Sequence, residues 1–242
     1  MFDHVTIRVL DRAESERFYE TVLPTLDIEQ SYSGEHFAEW DDFSLAAADD
    51  EHGVTRRLHV GFAARSRAQV DEFWRVGTEA GYRNDGAPGP RPQYHADYYG
   101  AFLLDPDGNS AEAVHHGVRR ASGAIDHLWI RVADVPASRR FYEIVAAHAG
   151  FKLEADAPGY AQFGRKDGSF SLVAGRAAEN VHLGFAVADN ESVAAFHRAA
   201  TGAGYADNGA PGERALYHAG YYGAFVLDPD GNNVELVNHN RD

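Results

Sequence analysis

The sequence has no cysteine in its 242 residues. Without thiols there is no disulfide, no thiolate-bound zinc, no iron–sulfur cluster and no cysteine nucleophile. It is also short of positive charge: 22 Lys and Arg stand against 37 Asp and Glu, a formal net charge of −15 at pH 7. That balance opposes non-specific binding to nucleic acid or to an anionic membrane, since both need a basic surface. No apolar run approaches the roughly 20 residues of a spanning helix. The opening Met1-Phe2-Asp3-His4 lacks the basic and apolar stretches of a secretory signal. The expectation is a cytoplasmic protein with no nucleic-acid and no membrane partner. What is present is a hydrophobic fraction of 44%, aromatics at 12%, and 13 histidines. The apolar content is enough to bury a core and excludes intrinsic disorder.

The chain repeats itself. Tyr94-His95-Ala96-Asp97-Tyr98-Tyr99-Gly100-Ala101-Phe102 returns as Tyr217-His218-Ala219-Gly220-Tyr221-Tyr222-Gly223-Ala224-Phe225, 123 residues later (217 − 94). The same step carries His4 to His127, His59 to His182, Arg91 to Arg214, the turn Asp105-Pro106-Asp107-Gly108-Asn109 to Asp228-Pro229-Asp230-Gly231-Asn232, and Glu112 to Glu235. A tandem duplication follows, with domains expected over 1–118 and 124–242 and a polar linker over 117–123. A fainter repeat lies inside each half: His4 matches His59, and His127 matches His182, a step of 55 residues (59 − 4 and 182 − 127). There are thus four modules, each opening with a His on an apolar segment. Seven residues after each His stands a helix-capping residue: Asp11, Ser66, Asp134 or Asp189. Ser66-Arg67-Ala68-Gln69 reads as a capping box, with Gln69 reaching back to the backbone N–H of the cap.

His4-Val5-Thr6-Ile7-Arg8-Val9 alternates, so Val5, Ile7 and Val9 share one strand face while His4, Thr6 and Arg8 share the other. An amphipathic helix is expected from Asp11 to Leu23, then strands at Ile28 to Tyr32, His36 to Trp40 and Phe43 to Ala48. The second module reads as a strand from Leu58 to Ala63, a helix from Ser66 to Ala80, and strands at Phe102 to Leu104 and Ser110 to Val114. The plan is βαβββ four times over: an α+β fold. On the polar strand faces each half supplies two His and one Glu: His4, His59 and Glu112, then His127, His182 and Glu235. If each half curls its strands into a trough, the three side chains of that half converge. Imidazole and carboxylate suit a divalent cation, and three protein ligands leave positions open for water or substrate. Such a set serves Lewis-acid or oxygen-activating chemistry.

The strand containing His4, the later His59-Val60-Gly61-Phe62, and the Asp-Pro turn followed by Glu112 resemble the vicinal oxygen chelate superfamily. This superfamily includes glyoxalase I, fosfomycin-resistance and bleomycin-resistance proteins, and extradiol dioxygenases. The resemblance covers nearly the whole chain, twice. It implies four βαβββ modules forming two cup-shaped mixed sheets with helices on the outer face, each cup around a divalent metal: Fe, Mn, Ni, Co or Zn. It also implies that the six residues named above are the metal ligands. Two departures stand out. Glyoxalase I has a fourth ligand, a Glu on the last strand of the first module; here those strands read Phe43-Ser44-Leu45-Ala46-Ala47-Ala48 and Phe170-Ser171-Leu172-Val173-Ala174, without a carboxylate. This counts against lactoylglutathione lyase activity. Extradiol dioxygenases have a His upstream of the Asp-Pro turn, matched by His95 and His218. Their catalytic Tyr is Phe102 and Phe225 here, leaving Tyr98, Tyr99, Tyr221 or Tyr222 to take its place.

Asn84 to Arg91, with its copy Asp207 to Arg214, reads as a shaped surface loop, suited to a lid. Arg91 and Arg214 could grip a carboxylate or phosphate of the substrate, or pair with the chain's excess acids. Tyr94 and Tyr217 flank them as further substrate contacts. His95 and His218 are candidate general acid–base residues, or orienters of neighbouring groups. Tyr19, Trp74 and Tyr142 read as core or helix-surface residues, and His115, His116 and His239 as an exposed tail sooner than as metal ligands. Trp129, where the first copy has Thr6, would narrow one trough. The functional expectation is a divalent-metal enzyme with dioxygenase or lyase/isomerase chemistry on a small molecule with vicinal oxygens. The alternative is a metal-free drug-binding protein of the bleomycin-resistance kind. A monomer or a homodimer fits either.

Overall fold

In the computed structural model of the chain, residues 1–117 and 123–241 are described. Most of the expected linker, residues 118–122, lies outside them, as does residue 242. Four βαβββ modules follow one another. The first is β1 (His4–Val9), α1 (Arg12–Val22), β2 (Tyr32–Ser33), β3 (Phe37–Trp40) and β4 (Phe43–Ala47). The second is β5 (Leu58–Ala63), α2 (Arg67–Glu79), β6 (Arg83–Pro90), β7 (Tyr99–Leu104) and β8 (Ser110–His115). The third is β9 (Ile125–Val132), α3 (Val135–Ala149), β10 (Lys152–Ala157), β11 (Tyr160–Arg165) and β12 (Gly168–Ala174). The fourth is β13 (Val181–Ala186), α4 (Asn190–Gly202), β14 (Asp207–Glu213), β15 (Tyr222–Leu227) and β16 (Asn233–Asn238).

Each helix starts where its capping residue says. The side chains of Asp11, Ser66, Asp134 and Asp189 accept the backbone N–H three residues on, each such cap contributing about 1 kcal/mol. The capping box differs in detail: Gln69 Oε1 accepts from Arg65 N–H at 2.7 Å, one residue before the cap. On β1, Val5, Ile7 and Val9 are fully buried against the helix layer, and His4, Thr6 and Arg8 face the other way. Tyr19 and Tyr142 are buried among aromatic rings, and each hydroxyl donates to the Asp of an Asp-Pro turn, Asp105 and Asp228.

The strands form two mixed eight-stranded sheets, ordered β14-β15-β16-β13-β1-β4-β3-β2 and β10-β11-β12-β9-β5-β8-β7-β6. Module 1 therefore joins module 4, and module 3 joins module 2. The condition that each half curls into its own trough, which the sequence leaves open, is not met: the central antiparallel junctions are β1 with β13 and β9 with β5. The expected strand at Ile28 to Tyr32 does not form: β2 overlaps it at Tyr32 alone. The stretches read as lids are edge strands instead. β6 and β14 pair with β7 and β15 through two register shifts each. An edge strand tolerates Pro88, Pro90 and Pro211 because its outer N–H positions need no partner.

Cutting the chain between the repeats tests this topology. Residues 1–117 alone leave β1 and β5 without their antiparallel neighbours. Since β9 is the copy of β1 and β13 the copy of β5, two molecules of the fragment can pair β1 with β5 twice. The expected result is a folded dimer by light scattering; a folded monomer would contradict the junctions.

Candidate metal centres

The register of each junction assembles a donor set. His4 lies opposite Gly184 and Thr6 opposite His182, while Gly184 on β13 aligns with Glu235 on β16. In the other sheet Gly61 aligns with both His127 and Glu112. The two glycines are required by close approach: a Cβ on Gly184 would overlap the His4 ring, and one on Gly61 the His127 ring. His4, His182 and Glu235 thus form one group, and His59, Glu112 and His127 the other. All six residues named from the sequence are present, but each group mixes the two halves.

The contacts are short. In the first group His4 Nε2 lies 3.1 Å from His182 Nε2, and Glu235 Oε2 lies 3.0 Å from His182 Nε2 and 3.4 Å from His4 Nε2. In the second, Glu112 Oε2 lies 2.9 Å from His59 Nε2 and 3.4 Å from His127 Nε2. Donors bonded at about 2.1 Å to one ion stand roughly 3.0 Å apart at octahedral angles and roughly 3.4 Å at tetrahedral ones, so the groups fit a shared cation. The two Glu residues are buried. Isolated carboxylates there would be costly.

Outer partners fix the rings. His4 Nδ1 is 2.8 Å from Asp3 Oδ2, and His127 Nδ1 is 2.9 Å from Asp126 Oδ1. An Nδ1–H donated to carboxylate leaves the Nε2 lone pair for a metal. His182 Nδ1 meets the Asn233 amide at 3.2 Å, and Asn233 meets Asn208 at 2.9 Å. Half a turn of both amides lets Asn233 accept from Nδ1–H, the tautomer that ligates. Asp3 extends to His239 Nε2 at 2.7 Å, and His239 Nδ1 to His218 Nε2 at 2.9 Å. Asp126 likewise meets His116 Nε2 at 2.8 Å. His116 and His239 are therefore tied to the sites and are not a free tail, and His115 ends β8.

Charge inside the groups follows from these contacts. Burial works against charged His4 and His127, but bonds to Asp3 and Glu235, and to Asp126 and Glu112, outweigh it. Their pKa values rise to about 10 and about 9. Burial lowers that of His182, only partly offset by Glu235. Burial works against ionised Glu112 and Glu235 too, yet the paired histidines hold both down to about 2.

Of the four tyrosines that the sequence offers in place of a catalytic Tyr, Tyr98 and Tyr221 reach the donor groups. Their hydroxyls donate to Glu112 Oε1 and Glu235 Oε1, each at 2.8 Å, so each Glu offers its other oxygen to the shared point. Burial, then the adjacent carboxylate, pushes both phenols well above the usual range, so they remain donors. Strand alternation held the signal: Tyr98 shares its face with Gly100 and Phe102, while Tyr99 turns to Asp71 on α2. Parallel register gives a further position. Thr6 aligns with Ser44 and Trp129 with Ser171, the counterparts of the Gly184–Glu235 and Gly61–Glu112 pairs. Serine thus stands where each trough could have held a fourth donor, and Ser44 Oγ is 2.7 Å from Thr6 Oγ1.

Arg91, Tyr94 and Trp129 line a cavity of about 530 Å³ over His59, Glu112 and His127. Arg91 donates to the carbonyls of Ala87 and Pro90 and stacks on Phe102. Arg214 does the same with Ala210, Glu213 and Phe225. Tyr217 is exposed and packs on Tyr221. His218 joins the string through His239, whereas His95 is exposed, accepts from Asp97 N–H in its own turn, and does not line the cavity.

None of the curated proteins matches the sequence. Among solved structures, glyoxalase I from Zea mays superposes with a TM-score of 0.70 at 20% identity, covering 98% of this chain and 92% of its own. A candidate dioxygenase from Bacillus subtilis superposes with a TM-score of 0.69 at 12% identity, covering 99% of this chain and 85% of its own. Identities this low speak for the fold alone. The family model for the Glyoxalase/Bleomycin resistance protein/Dioxygenase superfamily matches residues 1–113 and again 124–236, and the chain belongs to that superfamily.

Proposed function

We propose that the protein is a divalent-metal-dependent enzyme acting on a small molecule with vicinal oxygens, by dioxygenase or lyase/isomerase chemistry. The observation that carries this reading is the donor geometry: two imidazole Nε2 atoms and one carboxylate oxygen at ligand spacing, built twice. His4, His182 and Glu235 would hold one ion, and His59, Glu112 and His127 the other. When bound, such an ion supplies Lewis-acid stabilisation of developing negative charge on substrate oxygen. Fe or Mn suits an oxygenase, and Mn, Ni, Co or Zn a lyase or isomerase.

The chain's own groups do the rest. Asp3 fixes the tautomer of His4, and Asp126 that of His127. Tyr98 and Tyr221 hold the Glu orientation. Ser44 and Ser171 bring no fourth carboxylate, which supports a three-ligand centre and weighs against lactoylglutathione lyase activity. A metal-free trap for a cationic drug is the competing reading, and Arg91 and Arg131 on the cavity wall oppose it.

Elemental analysis of protein purified without chelator tests the proposal. Metal is expected at two ions per chain. The combined variant His59→Ala and His182→Ala, one change per site, is expected to lose both. Full retention in that variant would refute the assignment.

A further inference from the structure

The two troughs share their donors and the arginine stacked on phenylalanine, Arg91 on Phe102 and Arg214 on Phe225, but differ in the rest of their walls. Around His59, Glu112 and His127 stand Trp129, Arg131 and Arg57. The copies 123 residues away are Thr6, Arg8 and Asn180. Trp129 lies 5.9 Å from His59 and meets Tyr94 edge-on at 5.3 Å, so an aromatic wall rises beside the ligands. Thr6 instead turns to Ser44.

The arginines differ in the same sense. Arg8 donates to the Ala47 carbonyl at 3.1 Å and pairs with Asp49 at 3.6 Å. Among the described residues Arg131 has no carboxylate within ion-pair distance, and Arg91 meets only carbonyls and the Phe102 ring. Arg57 is neutralised by Glu179. Asp85, the acid on the wall besides Glu112, accepts from Ser110 Oγ at 3.0 Å. In a chain of net charge −15, two guanidinium groups without an acid beside an aromatic wall suit an anion.

We infer that the trough of His59, Glu112 and His127 is specific for a planar aromatic carboxylate, its ring against Trp129 and its charge toward Arg131 and Arg91, and that the trough of His4, His182 and Glu235 does not take it. This rests on the reading of the troughs as substrate sites. It makes the two centres unequal in substrate although equal in donors.

Calorimetric titration of 2-hydroxybenzoate into manganese-loaded and chelator-treated protein tests it, with phenol as the uncharged ring. One anion per chain is expected, with phenol at least tenfold weaker. Arg131→Ala and Trp129→Thr should each weaken the anion at least tenfold, and Arg8→Ala should change nothing. Two equivalent anions per chain, equal binding of phenol, or an Arg131→Ala variant that binds as the parent does would overturn the inference. Metal uptake without anion binding would also overturn it while sparing the metal centres. Anion binding by a protein that takes up no metal would uphold it and sink the metal assignment.

Discussion

Alanine at both His4 and Glu235 is expected to leave each chain with one divalent ion, whereas alanine at both His4 and Glu112 is expected to leave none. The first pair belongs to one donor group and the second pair to two. Loss of an outer hydrogen-bond partner alone weakens metal binding about 10–100-fold, and removal of a ligand removes more than that. Neither double change disturbs the apolar face of the sheets, because all these side chains point into the troughs. The measurement is metal content after gel filtration, with circular dichroism to confirm folding. If each trough were built from one half of the chain, the outcomes would exchange: His4 with Glu112 would spare one ion and His4 with Glu235 would spare none. The experiment therefore reads the cross-pairing of modules directly in solution.

That cross-pairing marks where the sequence stops being informative. Strand alternation at His4 to Val9, the caps at Asp11, Ser66, Asp134 and Asp189, and the Asp-Pro turns are local signals, and the modules formed where they pointed. The donors were legible for the same reason, since one face of an alternating strand carries them. The pairing of modules is not local. Modules 2 and 4 each offer a His, a Gly two residues later and a Glu. Modules 1 and 3 each offer a His preceded by Asp. Module 1 can lay His4 over Gly61 or over Gly184 with the same contacts, so both partitions satisfy the chemistry of the site. The choice lies in the connections: the two crossovers between sheets lie side by side, with Thr55 Oγ1 donating to the Asn180 carbonyl at 2.6 Å and Arg56 bridged to Glu179. The edge strands were hidden for a different reason. β6 and β14 carry Gly and Pro at loop frequency, and only an edge position with slipped register accepts that composition as strand.

Thermal stability of the metal-free protein is expected to fall as pH rises from 6.5 toward about 10, and that fall is expected to vanish when metal is bound. His4 and His127 ordinarily titrate near 6.5, yet their folded values are about 10 and about 9. Between the two limits the folded chain holds protons that the unfolded chain has released, so stability is present in full below 6.5 and drains away as pH rises. On the acid side Glu112, Glu235 and Asp3, each held down to about 2, contribute stability above 4.5 that is lost on acidification. Asp42 acts oppositely: burial raises it to about 6 despite bonds from Ala124 and Ile125 N–H, so its contribution weakens as pH climbs from 3.8 to 6. The Met1 amine, held below its usual 8.0 by burial, works the other way in the lower part of this window; the fall on the alkaline side comes from His4 and His127, whose protons a bound cation would displace. For a chain of this size each kcal/mol shifts Tm by about 2–4 °C, which calorimetry resolves. A flat alkaline limb after chelation, or an equal fall with metal present, would show that protons and metal do not compete for the same nitrogens.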